Sequence, residues 1–332
     1  MSDSPMQTLL ARIKPLGVNP IFVRRALPSW WDDTIASSEA GLQQAQLYIA
    51  KAFNLDIRSF DEPQIKFRQA QRKFKLSKTV TEDAVNASAH YATGIARAVL
   101  HAVDQQRPVP AGALDLRREC LNVGKVVDLD ALLFWCARAS IPVMHVDALP
   151  GKKMTGLVVR DNDKFAIVLS RKGCQSEMLF WLAHELGHIA CGHLKQDGFF
   201  ADESIDTNLQ DAEEKQADAY GVLLLNGADT KYQVTEVQRA PDLATAASSY
   251  GQKVNVDAGH ILLNFGHHNR QFYPLAKSAL KELGQSSEAS SQTVNKTFFN
   301  WLPLEDVSED QLEFLSTACS YKANSAAATT FR

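Results

Sequence analysis

The sequence predicts an α+β protein in which a small, mainly antiparallel sheet packs on two helices, behind an all-helical N-terminal region. Three observations predict it. Two β-rich runs, Met154–Val159 and Phe165–Ser170, flank the turn Asp161-Asn162-Asp163 and read as a hairpin. Apolar residues recur at helical spacing from Glu177 to Leu194, and again, after an acidic start, from Asp211 to Leu225. Residues 1–108 carry helix signals alone.

Taken in order, Asn19-Pro20, Leu27-Pro28-Ser29 and Asp61-Glu62-Pro63 separate short helices, and Thr81–Val103 forms a long amphipathic one. Arg107-Pro-Val-Pro-Ala-Gly112 is the best linker. The expected division is therefore a helical domain at 1–108, a sheet-bearing domain at 109–285, and a connector with a tail at 286–332. One or two helices around Leu129–Cys136 and a strand at Pro142–Val146 lead into the hairpin. Gly284–Gln292 is polar and reads as a flexible connector. Beyond it Phe298, Phe299, Trp301 and Leu302 offer apolar surface for docking on the body or on a partner, and Ala323–Arg332 reads as frayed. No internal repeat is visible.

Composition narrows the class. A chain of 332 residues, 45% hydrophobic, suffices for two domains and a sizeable core. The net charge of -3 gives no global pull toward nucleic acid. The cysteines, Cys120, Cys136, Cys174, Cys191 and Cys319, are odd in number and contain no C-x-x-C pair, which suits a reducing compartment. With no basic leader and no run approaching 18 apolar residues, the expectation is a soluble cytoplasmic protein without a membrane partner.

The most informative feature is His184-Glu185-Leu186-Gly187-His188. On a helix the two imidazoles, four apart, share a face and can bind one Zn2+ ion, with Glu185 beside them as general base. A chain this long shows such a run by accident about once in a hundred. Catalytic zinc takes three protein ligands and keeps one position open. In the second helix Glu214 and Asp218, again four apart, are placed so that Glu214 binds the metal while Asp218 accepts the free ring N–H of a ligand histidine. Glu213 is the competing ligand, and the plain alternative for all three acids is a solvated first turn. A third histidine six residues after His188 is excluded, because Leu194 stands there. His193 lies about 100° round the helix from that position and reads as a helix-end or packing residue. Cys191 reads as a buried, inert cysteine.

These residues resemble the ImmA/IrrE metallopeptidases. The matching features are Ala183-His-Glu-Leu-Gly-His188, then Glu214-Lys-Gln-Ala-Asp218 with Leu223-Leu224-Leu225 behind it, and the preceding hairpin, across roughly Leu114–Arg270. Tyr220-Gly221 departs from the family's usual Phe-Ala. The resemblance implies a zincin-like catalytic domain of the gluzincin type. It also implies an endopeptidase that cuts a partner transcriptional repressor, in prophage, mobile-element or stress-response settings.

Two parts of such a site remain open on sequence. An edge strand adds an extended peptide to its free backbone groups, and Ala166–Ser170 is the candidate, although its apolar content equally fits a core strand. An oxyanion donor is also needed. His260, His267, His268 and Tyr220 are candidates, with His267 matching best the end of a similar segment in the family, and a packing role is the plain reading of each.

The N-terminal region raises a second question. Between Ile65 and Lys78 stand Lys66, Arg68, Arg72, Lys73, Lys75 and Lys78, with Phe67 and Phe74 interleaved and no acid. Arg68, Arg72 and Lys73 are the candidate DNA contacts, with the rings stacking on bases. A solvated basic helix face is the competing reading, favoured by the acidic balance of the whole chain. Gln43–Phe60 is faintly similar to helix-turn-helix regions, without a recognition-helix pattern. Two functional classes follow: a zinc peptidase, or a non-proteolytic regulator or toxin-antitoxin component with a structural zinc. An intact Glu185 favours the peptidase, since a structural site has no use for a general base.

Overall fold

The computed structural model describes residues 4–76, 79–202, 211–234 and 239–321. The fold is α+β. Helices α1 (Pro5–Ile13), α2 (Pro20–Arg25) and α3 (Glu39–Ala52) precede strand β1 (Gln71–Lys75) and the long helix α4 (Glu82–Leu100). Then come α5 (Ala113–Leu121), α6 (Leu129–Arg138), β2 (Val143–His145), the hairpin β3 (Gly156–Asp161) and β4 (Lys164–Leu169), α7 (Gln175–Ala190), β5 (Gly198–Asp202) and α8 (Ala212–Asn226). The chain closes with α9 (Ala240–Val254), α10 (Ala258–His268), α11 (Tyr273–Glu282), α12 (Ser287–Trp301) and α13 (Glu309–Ala318).

The sheet runs β1-β5-β3-β4-β2. It is mixed rather than mainly antiparallel: β5, β3 and β4 pair antiparallel, while β1 lies parallel to β5 and β2 parallel to β4. Side-chain alternation divides it between two cores. Leu157, Val159, Ala166, Val168, Phe199 and Ala201 face α4 and the N-terminal helices. Val158, Ile167, Leu169 and Phe200 face α6, α7 and α8. The helices α9, α10 and α11 enclose a third, smaller core.

Several expectations change. The 1–108 segment is not all-helical, because Gln71–Lys75 alternates Lys73 and Lys75 against Phe74 and joins the sheet as an edge strand. Ala166–Leu169 is an inner strand between β3 and β2, so its apolar content reports core and not a free edge. The connector is shorter than expected: Ser286 caps α12, whose first residue is Ser287. Phe298, Phe299 and Leu302 are buried in the core shared with α4, so this segment docks on the body. The Asn295 amide on α12 accepts from His145 N at 2.8 Å and donates to His145 O at 2.9 Å, which occupies backbone groups of edge strand β2. Lys78 and Ala323–Arg332 lie outside the described residues. No described helix is long and apolar enough to cross a membrane.

Two outcomes test this packing. A chain lacking residues 1–108 loses β1 and α4 and bares the Leu157, Val159, Ala166 and Val168 face. It is expected to bind a hydrophobic dye and to lose near-ultraviolet dichroism; a cooperative urea transition in that fragment would show that the two segments fold apart. The second concerns His90, buried on α4 and stacked on Phe67, whose pKa is pushed down from 6.5 to about 3 by burial and by the charge of Arg72. The unfolded chain therefore binds a proton that the folded chain refuses. Stability is complete above pH 6.5 and falls as the pH drops toward 3, by about 1.4 kcal/mol per unit in that window. His90→Gln should show a shallower loss between about pH 6 and 4.5 in urea unfolding; parallel losses would sink the assignment.

Candidate metal centre

The site is built by register. Gly156 of β3, Asp202 of β5 and Lys75 of β1 are neighbours in one row across three strands, on the face that α7 covers. The next row on that face holds Val158, Phe200 and Lys73. Helix α7 lies over both rows. Glu185 sits above Gly156 so closely that a Cβ there would meet its Oε1 at 1.9 Å, so only glycine permits the approach. The ring of His188 lies over Phe200, with centroids 4.2 Å apart. Helix α8 crosses α7 where a Cβ on Gly187 would meet the Ala217 carbonyl at 2.8 Å, and this tight crossing delivers Glu214 and Asp218. Asp211 caps α8, and Gly227 with φ 77° ends it.

His184, His188, Asp202 and Glu214 converge, each at most 2% exposed, with one ligand atom from each inside a 4.8 Å span. His184 Nε2 lies 3.0 Å from His188 Nε2, 3.3 Å from Asp202 Oδ2 and 3.6 Å from Glu214 Oε2. His188 Nε2 lies 3.4 Å from Asp202 Oδ2 and 3.5 Å from Glu214 Oε1. Four donors bound tetrahedrally to zinc at about 2.1 Å stand about 3.4 Å apart, so these spacings suit one ion.

Each imidazole is also oriented from behind. The Nδ1–H of His184 donates to Asp218 Oδ1 at 2.8 Å, which leaves Nε2 for the metal. His188 Nδ1 meets His193 Nδ1 at 2.8 Å, and His193 Nε2 meets Gln216 Oε1 at 3.0 Å. The tautomers that leave His188 Nε2 free make His188 the donor to His193, and His193 the donor to Gln216. Lys73 Nζ donates to the His193 carbonyl at 2.9 Å and to Glu213 at 2.7 Å, so Glu213 is engaged away from the ligand group.

Charge supplies an independent test of fit. Asp202, Glu214 and Glu185 are all buried, and Lys75, whose ammonium donates to Glu214, is the cation among them. Among the described residues both Glu185 oxygens, Asp202 Oδ1 and Glu214 Oε1 have no hydrogen-bond partner. Burial pushes Glu185 well above the ordinary carboxylate range, with the Asp202 charge adding to the rise, and lifts Glu214 to about 7. Against the same burial, hydrogen bonds from His184 and His188 hold Asp202 low. Bonds to Asp202 and Asp218 likewise hold His184 above its ordinary value. A divalent cation with two neutral imidazoles, three carboxylates and one ammonium sums to zero. The residues present therefore fit a metal ion.

No family model, curated protein or solved structure matches this chain.

Of the residues singled out on sequence, His184, Glu185, His188, Glu214 and Asp218 meet in this group. His267 and His268 lie exposed at the end of α10. Tyr220 donates to the Pro110 carbonyl at 2.8 Å, so its hydroxyl is engaged. His260 is buried, with its ring stacked on Phe180 and both nitrogens unpartnered, and burial lowers its pKa to about 4. Cys191 is exposed rather than buried, since Gly192 with φ 69° turns the chain out of α7 just beyond it. Of the candidate DNA contacts, Lys73 is held by Glu213, Arg72 is exposed on β1 and Arg68 is exposed before it. The rings expected to stack on bases pack inward, Phe67 on His90 and Phe74 on Phe199. Sequence reasoning missed Asp202, Lys75 and the contact of His193. Strand alternation in Gln71–Lys75 and the acid closing Phe199-Phe200-Ala201-Asp202 are the signals that carry the first two.

We expect one zinc per chain, with affinity 10–100-fold weaker in Asp218→Ala and in His193→Phe, because each removes the partner that orients a ligand ring. Competition with a chromogenic chelator measures it. Unchanged affinity in His193→Phe would mean that the His188–His193 contact orients nothing.

Proposed function

We propose that this chain is a zinc-dependent endopeptidase that hydrolyses a peptide bond in a partner protein. The observation that carries this reading is Glu185. Its carboxylate is fully buried against the ligand group, and neither oxygen has a partner among the described residues. Burying such a group costs several kcal/mol, and a purely structural site gains nothing from it. Zinc, when bound, supplies a Lewis acid that polarises a carbonyl and lowers the pKa of water toward 7. Glu185 takes the proton of the attacking water at its carboxylate and returns it to the leaving amine. Burial raises its pKa, with the Asp202 charge adding to the rise, which is the direction that favours holding the transferred proton. Asp218 and His193 hold the imidazoles, and Lys75 holds Glu214.

The partner class, a DNA-binding repressor, rests on the resemblance of His184–His188 and Glu214–Asp218 to the ImmA/IrrE metallopeptidases. A cytoplasmic setting belongs to the same reading. Because ligands and base are enclosed in this conformation, cleavage of a protein requires one wall to open. Strand β1 is an edge of the described sheet, paired to β5.

One observation favours a second reading. Asp202 makes four protein ligands, the number of a closed structural zinc, which would suit a non-proteolytic regulator. One set of variants separates the two. On the peptidase reading Glu185→Gln keeps its zinc and loses at least about 100-fold in cleavage of the repressor encoded beside the gene, followed by mass spectrometry. Asp202→Asn then retains metal, and its cobalt form gains a site that small anions can enter. If wild type and Glu185→Gln are equally inert and Asp202→Asn loses the metal, the centre is structural.

A further inference from the structure

One cavity lies away from the metal centre. It measures about 950 Å³ and opens between α3, the turn that follows it through Arg58, Arg68, α4 and α13. Sites for small molecules occupy about 300–1,000 Å³, so this one has room for a ligand of nucleotide size.

Arg25, Lys51, Arg58, Arg68 and Arg97 line it, together with the acids Asp56, Asp310 and Glu313. Among the described residues no carboxylate lies within ion-pair distance of Lys51, Arg58 or Arg68. The acids on the α13 wall are engaged elsewhere. Asp310 accepts from Trp30 Nε1 at 3.0 Å and from the Tyr48 hydroxyl, and Glu313 accepts from Ser29 N at 3.0 Å. Arg97 spans two directions: Nη1 donates to Asn54 at 2.9 Å, Nη2 pairs with the buried Asp161 that ends β3, and Nε is buried without a partner. A guanidinium presents a planar fork of donors that pairs bidentately with the oxygens of phosphates and carboxylates. Tyr48 and Phe314 line the same cavity and offer ring surface.

We propose that this cavity binds a phosphate-bearing small molecule of nucleotide size, with Lys51, Arg58 and Arg68 taking the phosphates and Arg97 at the side facing the hairpin. A nucleic-acid strand is the poorer fit. The basic stretch that would track its backbone is interrupted where Lys66 pairs with Glu62 and Lys73 with Glu213, and its two rings face inward. The site needs no metal, so it stands whether or not the zinc centre cleaves peptides.

Calorimetric titration of the full-length chain with pyrophosphate, adenosine triphosphate and a short single-stranded oligonucleotide tests it. The expected result is saturable binding of pyrophosphate or the triphosphate, equal with and without zinc. It should weaken at least tenfold in the Arg58→Ala, Arg68→Ala double variant, and Lys66→Ala should leave it unchanged. Both arginines are exposed, so the double variant should keep the parent's thermal midpoint, which is checked alongside. Three results would overturn the proposal: no saturable heat at millimolar ligand, equal affinity in the double variant, or binding of the oligonucleotide alone.

Discussion

Three buried carboxylates around two imidazoles are the constraint on which this molecule turns. Asp202, Glu185 and Glu214 occupy a space that water does not reach, and Lys75 offsets one of their charges. At protein-interior dielectric, like charges a few ångströms apart cost several kcal/mol unless a proton or a cation intervenes. Burial raises Glu185 and Glu214, while hydrogen bonds from His184 and His188 keep Asp202 low. A divalent ion placed among them would lower that cost. Metal binding at this group would therefore be coupled to the stability of the α7, α8 and β5 junction.

The sheet brings these groups together because its strands come from distant parts of the chain. Lys75 and Glu214 are 139 positions apart, yet the β1–β5 register sets Lys75 beside Asp202, directly under α7. The N-terminal segment is thus part of the metal centre and not an appendage to it. The same strand explains the two lysines that alternate with Phe74: Lys73 anchors the His193 carbonyl and Glu213, and Lys75 anchors Glu214. The hydrophobic side of β1 meets Phe199, which ties the charge row to the core under α4.

The legible part of the site was the part that lies on helices. Spacing of four puts His184 over His188 and Glu214 over Asp218, and no other fact about the fold is needed to see it. The hairpin was legible for a similar reason, since Asn162 and Asp163, with φ of 50° and 63°, are the residues that tolerate such a turn. What escaped was set by strand pairing. A five-residue strand such as Gln71–Lys75 carries too few residues to separate period 2 from a short basic helix, and no local feature says that it lies beside Gly198–Asp202. Asp202 closes an apolar run, but its place beside the histidines follows from its pairing with Lys75 and Gly156, which no local feature shows. The first turns of α12, up to Gln292, read as connector because they are serine-rich, and the buried contacts of Ser290 and Asn295 that hold the helix are tertiary.

The four ligands are not held alike, and this bears on which of them can yield. His184 is backed by Asp218, His188 by His193 and Glu214 by Lys75. Asp202 has no such partner: Oδ1 is unbonded, and only Oδ2 reaches the two imidazoles. Ligands that must stay fixed are those whose other atoms are hydrogen-bonded, because that contact sets both orientation and basicity. By this criterion three of the four candidate ligands are held by a second contact and Asp202 is not. The strand that carries it need not move, since Phe199 and Phe200 on either face lock β5 into both cores. Displacing that strand would expose two buried aromatic rings, each worth about 3–5 kcal/mol, whereas turning Asp202 breaks two contacts that the metal itself would replace.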